Sequence, residues 1–344
     1  MNIILFAGAG MVKPLGLPTV VDFENIISKV MTEQEMNFIT KIKQYIRDKK
    51  LNPSDIEYIF NSVNTFLKEN PEITIYLINN SVNINIIPIF ESLVKNARTS
   101  FEKIKKIFYS ELNKFDIDTA RNFYVTLFRK IKKIFNSKNI SFITTNYDTT
   151  FDDVVKKFVV DFTSSGFNTV DFLFKPYQNI AFIYKPVNNP FPQNYIEYIK
   201  LHGSINWFID KEGVIHRTYE PIIPENTSKS VLIYPGFKGF PNEEPFKSLH
   251  ERFKNRLSEA NIMIAIGFAF RDEAINSIIE PFLKKSLRIY HINPTPPDRY
   301  PPESKVPYFL QHYPEAFVHI QEAVSPENLE EILMKVLLHH QKLN

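Results

Sequence analysis

Ser141-Phe142-Ile143-Thr144-Thr145-Asn146-Tyr147-Asp148 is an apolar, strand-like run that stops abruptly in hydroxyl, amide and carboxylate side chains. Residues 149 to 160 then read as a helix, so the stretch is strand, polar rim, helix. In open α/β sheets ligands bind just beyond the carboxyl ends of parallel strands. A strand ending in Thr-Thr-Asn-Tyr-Asp sets hydrogen-bond donors and acceptors at that rim.

Working outward, the same grammar recurs. Ile3-Ile4-Leu5-Phe6-Ala7 is a continuous apolar run that enters Gly8-Ala9-Gly10, followed by Pro14, Gly16 and Pro18. Tyr198-Ile199-Lys200-Leu201 runs into His202-Gly203-Ser204-Ile205-Asn206-Trp207, and Ile262-Met263-Ile264-Ala265-Ile266 ends in Gly267. Arg288-Ile289-Tyr290-His291-Ile292 ends in Asn293-Pro294. Ala316-Phe317-Val318-His319-Ile320 precedes a helix begun by Ser325-Pro326, and Val231-Leu232-Ile233-Tyr234 ends at Pro235-Gly236. Phe246, Leu249, Phe253 and Leu257 mark one intervening helix. Ala274, Ile275, Ile278 and Phe282 mark another, with Asp272 as its N-cap. Strands alternating with helices from residue 139 onward predict an α/β fold, a mostly parallel sheet with helices on both faces.

Two segments interrupt that alternation. Residues 23 to 138 read as a large helical insertion after the first strand, opened by Asp22 as a cap. One buried stripe runs through Phe90, Leu93, Val94, Ala97, Phe101, Ile104, Phe108 and Leu112, and a second through Ala120, Phe123, Tyr124, Leu127, Ile131 and Ile134. Arg129, Lys130, Lys132 and Lys133 alternate with apolar positions, as on a solvated helix face rather than a nucleic-acid site. Residues 161 to 198, rich in Pro, Asn, Phe and Tyr without a clear period, read as a small loop-rich subdomain. The expected organisation is a single domain over residues 1–344.

With 344 residues, 44% apolar and 14% aromatic, the chain has material for a sizeable core. A net charge of +3 is too mild to argue for nucleic acid or membrane as a partner. No cysteine is present, which excludes disulfides, thiolate zinc sites and a cysteine nucleophile together. No run approaches a membrane span, and the opening strand lacks the basic start of a signal peptide, so the expected location is the cytoplasm.

Gly8-Ala9-Gly10 by itself is a partial dinucleotide fingerprint, since Lys13 stands where the third glycine belongs. The whole series is more specific: Gly8-Ala9-Gly10 through Thr19, Thr144-Thr145-Asn146-Tyr147-Asp148, Leu201-His202-Gly203-Ser204, Ile266-Gly267-Phe268-Ala269-Phe270-Arg271-Asp272, and Ile292-Asn293-Pro294. In that order, each at a strand end, these segments resemble the sirtuin (SIR2) family, and more closely its SIR2-like branch of prokaryotic antiviral defence proteins. The resemblance implies a Rossmann-like domain with NAD as substrate. It assigns Asn146 and His202 to catalysis, and Gly8, Ala9, Gly10, Thr19, Thr145, Asp148, Gly203, Gly267, Phe268 and Asn293 to NAD binding, with no metal. Val12 and Ala269 depart from small hydroxyl residues common in the family, and a chain without cysteine cannot build the four-cysteine zinc module of the deacylases.

The activity so implied is an NAD+ glycohydrolase in antiviral defence, releasing nicotinamide and ADP-ribose and held in check by homo-oligomerisation or a partner defence protein. A zinc-free deacylase and a non-catalytic NAD- or ADP-ribose-binding sensor are the alternatives. The residue types suit the chemistry independently. Cleaving the ribose–nicotinamide bond expels a neutral leaving group, so the site must position the sugar and supply a base. A histidine can accept the proton and an asparagine can orient water and ribose without adding charge. Plainer roles stand beside these: Asn146, Asp148 and Asp272 as helix caps, Trp207 as core, and His312, His319, His339 and His340 as surface or core histidines.

Overall fold

Asn2–Ala7 forms β1, the middle strand of a seven-stranded sheet. The structure, a computed structural model, describes residues 2–19, 22–53, 55–68, 70–80, 86–137, 139–158, 168–170, 174–177, 181–184, 195–209, 215–218, 230–232, 243–285 and 287–342. The sheet also holds β2 (Asn139–Thr144), β3 (Asn168–Val170), β6 (Tyr195–Lys200), β10 (Ile262–Ile266), β11 (Arg288–Ile292) and β12 (Phe317–Ile320), in the order β12-β11-β10-β1-β2-β6-β3. Every pairing in it is parallel. From β1 the chain adds β2, then the edge strand β3, then β6 between those two, and finally returns to lay β10, β11 and β12 on the other side of β1. The order reverses between β1 and β10, which makes their carboxyl ends the topological switch point.

Both faces of the sheet are apolar because the strands are continuous apolar runs rather than alternating ones. Ile3, Leu5, Phe142 and Ile264 point to one face. There they pack with Phe123, Leu127 and Phe128 of α6 (Ile117–Phe135), Phe151 of α7 (Thr150–Lys157) and Ile332 of the last helix, Leu329–Lys342. Ile4, Phe6, Ile143 and Met263 point to the other, against Leu249 and Phe253 of α8 (Phe246–Glu259), Ile275 and Ile279 of α9 (Glu273–Leu283), and Phe309 of α10 (Val306–His312). Each such side chain contributes about 1.5–3 kcal/mol on burial. The expected doubly covered parallel sheet is what forms.

The chain divides into two compact units, the first made of Met1–Leu17, Leu112–Ile233 and Gly239–Asn344, the second built on Pro18–Glu111. The second unit is helical: α1 (Asp22–Ser28), α2 (Glu33–Asp48), α3 (Ile56–Leu67), α4 (Pro71–Asn79) and α5 (Ile86–Glu111). A capping box starts α2, in which buried Glu35 accepts from the Thr32 N–H at 2.8 Å and from Lys103 at 2.7 Å. Two details differ from expectation. Phe90 is 36% exposed although it lies on the apolar stripe of α5. Asp22 turns backward, its carboxylate accepting from the Thr19 N–H and hydroxyl at 2.8 and 2.7 Å.

Most of residues 161–194 and the segment Ile233 to Gly236 lie outside the described residues. The described pieces are strands. β4 (Phe174–Tyr177), β5 (Ala181–Tyr184), β7 (Gly203–Ile209), β8 (Ile215–Thr218) and β9 (Ser230–Leu232) form an antiparallel sheet in the order β4-β5-β8-β7-β9.

Candidate functional site

Strand register brings the candidate segments to one level. Ala7 pairs with Thr144 and with Ile266, Thr144 with Lys200, Ile266 with Ile292, and Ile292 with Ile320. Gly8, Thr145, Leu201, Gly267 and Asn293 are the next residues along, so all five leave the sheet in a single row. The ladder holds that row one step past the strands: Gly8 N–H donates to Ile266 O, Thr145 N–H to Ala7 O, Leu201 N–H to Thr144 O, Gly267 N–H to Ile292 O, and Asn293 N–H to Ile320 O.

At the switch point the two glycine segments touch. A Cβ on Gly8 would lie 2.5 Å from Gly267 O, and one on Gly10 2.8 Å from Gly267 Cα. Gly267 has φ +63°, and a Cβ there would meet Met11 N at 2.4 Å. Glycine is required at these positions for backbone-to-backbone contact between the loops after β1 and β10. The amides of Gly8 and Gly10 are spent on Ile266 O and Gly267 O. Ala9 opens the 3-10 turn Ala9–Met11, in which the Met11 N–H donates to Gly8 O at 3.0 Å.

Asn146 is tied to this contact. Its Nδ2 donates to Gly8 O at 3.1 Å, and its N–H donates to the Thr144 hydroxyl, which in turn donates to Ala7 O. The side chain does not cap the following helix. The N-cap of that helix is Thr149, which makes no side-chain cap bond, and one position earlier Asp148 Oδ1 accepts from the Thr150 N–H at 3.0 Å and the Thr150 hydroxyl at 2.5 Å.

Beneath the loop lies Lys200, 2% exposed. Its ammonium donates to Asp148 O, to the Ser204 hydroxyl at 2.7 Å, and to Tyr147 O at 3.5 Å. Asp152 balances the charge at 3.4 Å, and also faces Arg217 at 3.4 Å and the Tyr198 hydroxyl at 3.2 Å. A buried cation satisfied by a carboxylate and by main-chain carbonyls of residues 147 and 148 fixes the backbone just past Asn146.

His202 is 3% exposed. Its Nε2 faces Asp272 Oδ2 at 3.0 Å, while Nδ1, also buried, has no partner among the described residues. Asp272 does cap α9, through Oδ1 and the Ile275 N–H at 3.0 Å, but its other oxygen belongs to the histidine. Burial alone raises the Asp272 carboxyl. The hydrogen bond and charge of His202, the Ile275 N–H and the charge of His250 outweigh it and hold the carboxyl below its ordinary range.

The remaining predicted residues are placed as follows. Gly203 has φ +82°, which turns the chain from β6 into β7. The Phe268 ring is buried, 4.8 Å from that of Phe6, so that residue offers backbone rather than side chain to the rim. Asn293 Oδ1 accepts from the Thr295 N–H at 3.0 Å. Thr19 belongs to the helical unit, where Asp22 engages it. Trp207 is core, as expected.

Sequence reasoning missed the second role of Asp272 and the Lys200 network. A lysine at the end of a largely apolar strand, two residues before His202, was the readable signal for the latter. No sequence period connects Asp272 with a histidine 70 positions earlier.

Among the described residues, no helix is long and apolar enough to cross a membrane. The SIR2-like domain family matches residues 140–313. No curated protein matches the chain. Similar solved structures include a Sir2 homologue variant in complex with 2'-O-acetyl ADP ribose, with 12% identity, 99% of this chain and 92% of that chain covered, and a TM-score of 0.46. Another is a Sir2 homologue variant with ADP ribose, at 13% identity, 100% and 94% coverage and a TM-score of 0.46. A third is a Sir2 homologue–NAD complex, at 13% identity, 100% and 91% coverage and a TM-score of 0.44.

Proposed function

The chain belongs to the SIR2-like domain family, and on that footing we propose that it is an NAD+ glycohydrolase. The observation that carries the reading is the Nδ1 of buried His202, without a partner among the described residues, in the row of strand-end segments that includes Asn146 and the switch point. A buried ring nitrogen without a partner costs about 1–3 kcal/mol, and a substrate or water proton there relieves it. NAD+ is the substrate of this proposal. The ribose C1′–nicotinamide bond breaks with its electron pair leaving on neutral nicotinamide. A water oxygen bonds to C1′, and the water proton passes to His202 Nδ1 and then to solvent, leaving ADP-ribose.

In this reading Asn146, hooked to Gly8 O, orients water and ribose, the Ala9 N–H and the loops around Gly8, Gly10 and Gly267 flank the pyrophosphate, and Asn293 serves the adenosine half. Thr19, Thr145, Asp148, Gly203 and Phe268 complete the proposed binding set. The absence of cysteine, and so of a four-cysteine zinc module, favours hydrolysis over deacylation. The proposed setting is cytoplasmic antiviral defence, with the activity controlled by homo-oligomerisation or a partner protein, and with the helices at 23–138 inserted into a single domain.

The test is NAD+ consumption and nicotinamide release without any acyl-lysine peptide, in the presence and absence of the neighbouring gene product. Asn146→Ala and His202→Ala should each abolish turnover. Turnover intact in both variants sinks the assignment.

A further inference from the structure

Asp272 uses both carboxylate oxygens, and only one is needed for its cap. An N-cap side chain satisfies its helix with one oxygen and ordinarily leaves the other to water. Here the second oxygen meets an imidazole that is 3% exposed. The segment that delivers it is held in an unusual shape. Gly267 and Phe270 both have positive φ, +63° and +50°, and Phe270 is fully buried. A left-handed non-glycine residue costs of order 1 kcal/mol or more and persists only where its surroundings enforce it. They do so here: Ser304 hydroxyl donates to Ala269 O at 2.6 Å, Lys305 N–H to Phe270 O at 2.9 Å, and Asn276 Nδ2 to Phe270 O at 2.8 Å.

We infer that Asp272 is the positioning residue of His202: it accepts the Nε2–H, fixing the tautomer whose lone pair is on Nδ1, and stabilises the imidazolium formed when Nδ1 takes a proton. The inference rests on the glycohydrolase reading for its kinetic consequence but not for the tautomer itself. A carboxylate only accepts hydrogen bonds, so an ionised Asp272 dictates which nitrogen carries the proton. The N-terminus of α9 favours that ionised form. Among the described residues the ring also faces the Tyr147 ring, with centroids 6.1 Å apart, and His250 of α8, which burial pushes down to about 4 and so leaves uncharged at neutral pH. Proton bookkeeping closes: the ring gains one proton from water at Nδ1, keeps the one on Nε2, and returns to neutral by releasing the first to solvent.

Asp272→Asn separates the cap from the pairing, because Asn caps as well as Asp. The Ile275 N–H needs an oxygen, so the variant's NH2 is turned toward Nε2 and the ring inverts to its Nδ1–H tautomer. Asp272→Ser keeps a cap without reaching the ring. Two readouts are needed: 15N chemical shifts of the His202 ring, assigned against His202→Gln, and the pH profile of NAD+ turnover. The wild type should show Nε2–H and Asp272→Asn should show Nδ1–H. Turnover should fall on the order of 10²–10⁴-fold in both variants, in kcat rather than KM, with melting temperature nearly unchanged and the acidic limb of the pH profile displaced to lower pH. A wild-type ring in the Nδ1–H form, or Asp272→Asn within about threefold of wild-type kcat, overturns the inference. If the tautomers behave as stated but the wild type turns over no NAD+, the pairing stands and the glycohydrolase reading falls.

Discussion

His202 and His291 are both buried, and both place Nε2 against the segment that follows β10, yet they are used in opposite ways. His202 meets a carboxylate, Asp272, and its second nitrogen has no partner among the described residues. His291 meets a main-chain carbonyl, Phe268 O, at 2.8 Å, and its second nitrogen faces His319 Nδ1 at 3.1 Å. Burial pushes His291 down to about 3, with the charge of His319 acting the same way, so at neutral pH it is a packing group amid Phe270, Phe317 and Tyr300. The difference teaches what separates a poised histidine from a structural one. Burial alone is common to both; a carboxylate partner combined with a free nitrogen is not.

The sharpest way to break this contrast is to delete each ring. His202→Ala should lower NAD+ turnover of the folded protein by at least about 10³-fold. His291→Ala should cost about 2–4 kcal/mol in denaturant unfolding, with kcat of the folded fraction nearly preserved. The reverse pattern would exchange the two roles.

Lys200→Met probes the backbone beside Asn146 rather than the ring. It leaves the carbonyls of Tyr147 and Asp148 and part of Asp152 uncompensated, and should cost about 3–5 kcal/mol in urea unfolding. A melt within one degree of wild type would show the ammonium to be dispensable. Gly267→Ala should be worse than Gly16→Ala, although both glycines have positive φ. A Cβ at Gly16 meets nothing within 4 Å, so strain of about 1 kcal/mol is the whole cost, whereas at Gly267 the loop after β1 must also move. Equal costs would deny the loop contact.

The smallest effect is acid sensitivity. His250, at about 4 in the folded chain against an ordinary 6.5, is lowered by burial, so the unfolded chain binds a proton that the folded one refuses. Its contribution is present above pH 6.5 and is lost as pH falls from there toward 4. The melting temperature at pH 5 relative to pH 7.5 should therefore recover partly in His250→Phe. An unchanged difference would assign the acid sensitivity elsewhere.

The rim was legible because β1, β10 and β11 pass from apolar residues straight into Gly or Asn, β2 ends in Thr-Thr-Asn and β6 leads into His-Gly, and parallel register makes these ends coincide. The helical unit was legible through periodicity in the same way. What escaped the sequence was pairing across distance: Asp272 with His202, or Lys200 with Asp152 and Arg217, joined only by the fold. β4 and β5 escaped for a different reason, since four-residue antiparallel strands are too short to display a period amid so many aromatics.

Lys200 also makes the molecule its own clock. Amine-acylating reagents reach surface lysines on contact, but an ammonium 2% exposed beneath the Tyr147 and Asp148 carbonyls can react only after β6 parts from that loop. The rate at which mass spectrometry finds Lys200 acylated, compared with exposed lysines of the same chain, times the opening of the rim without any ligand or engineered residue.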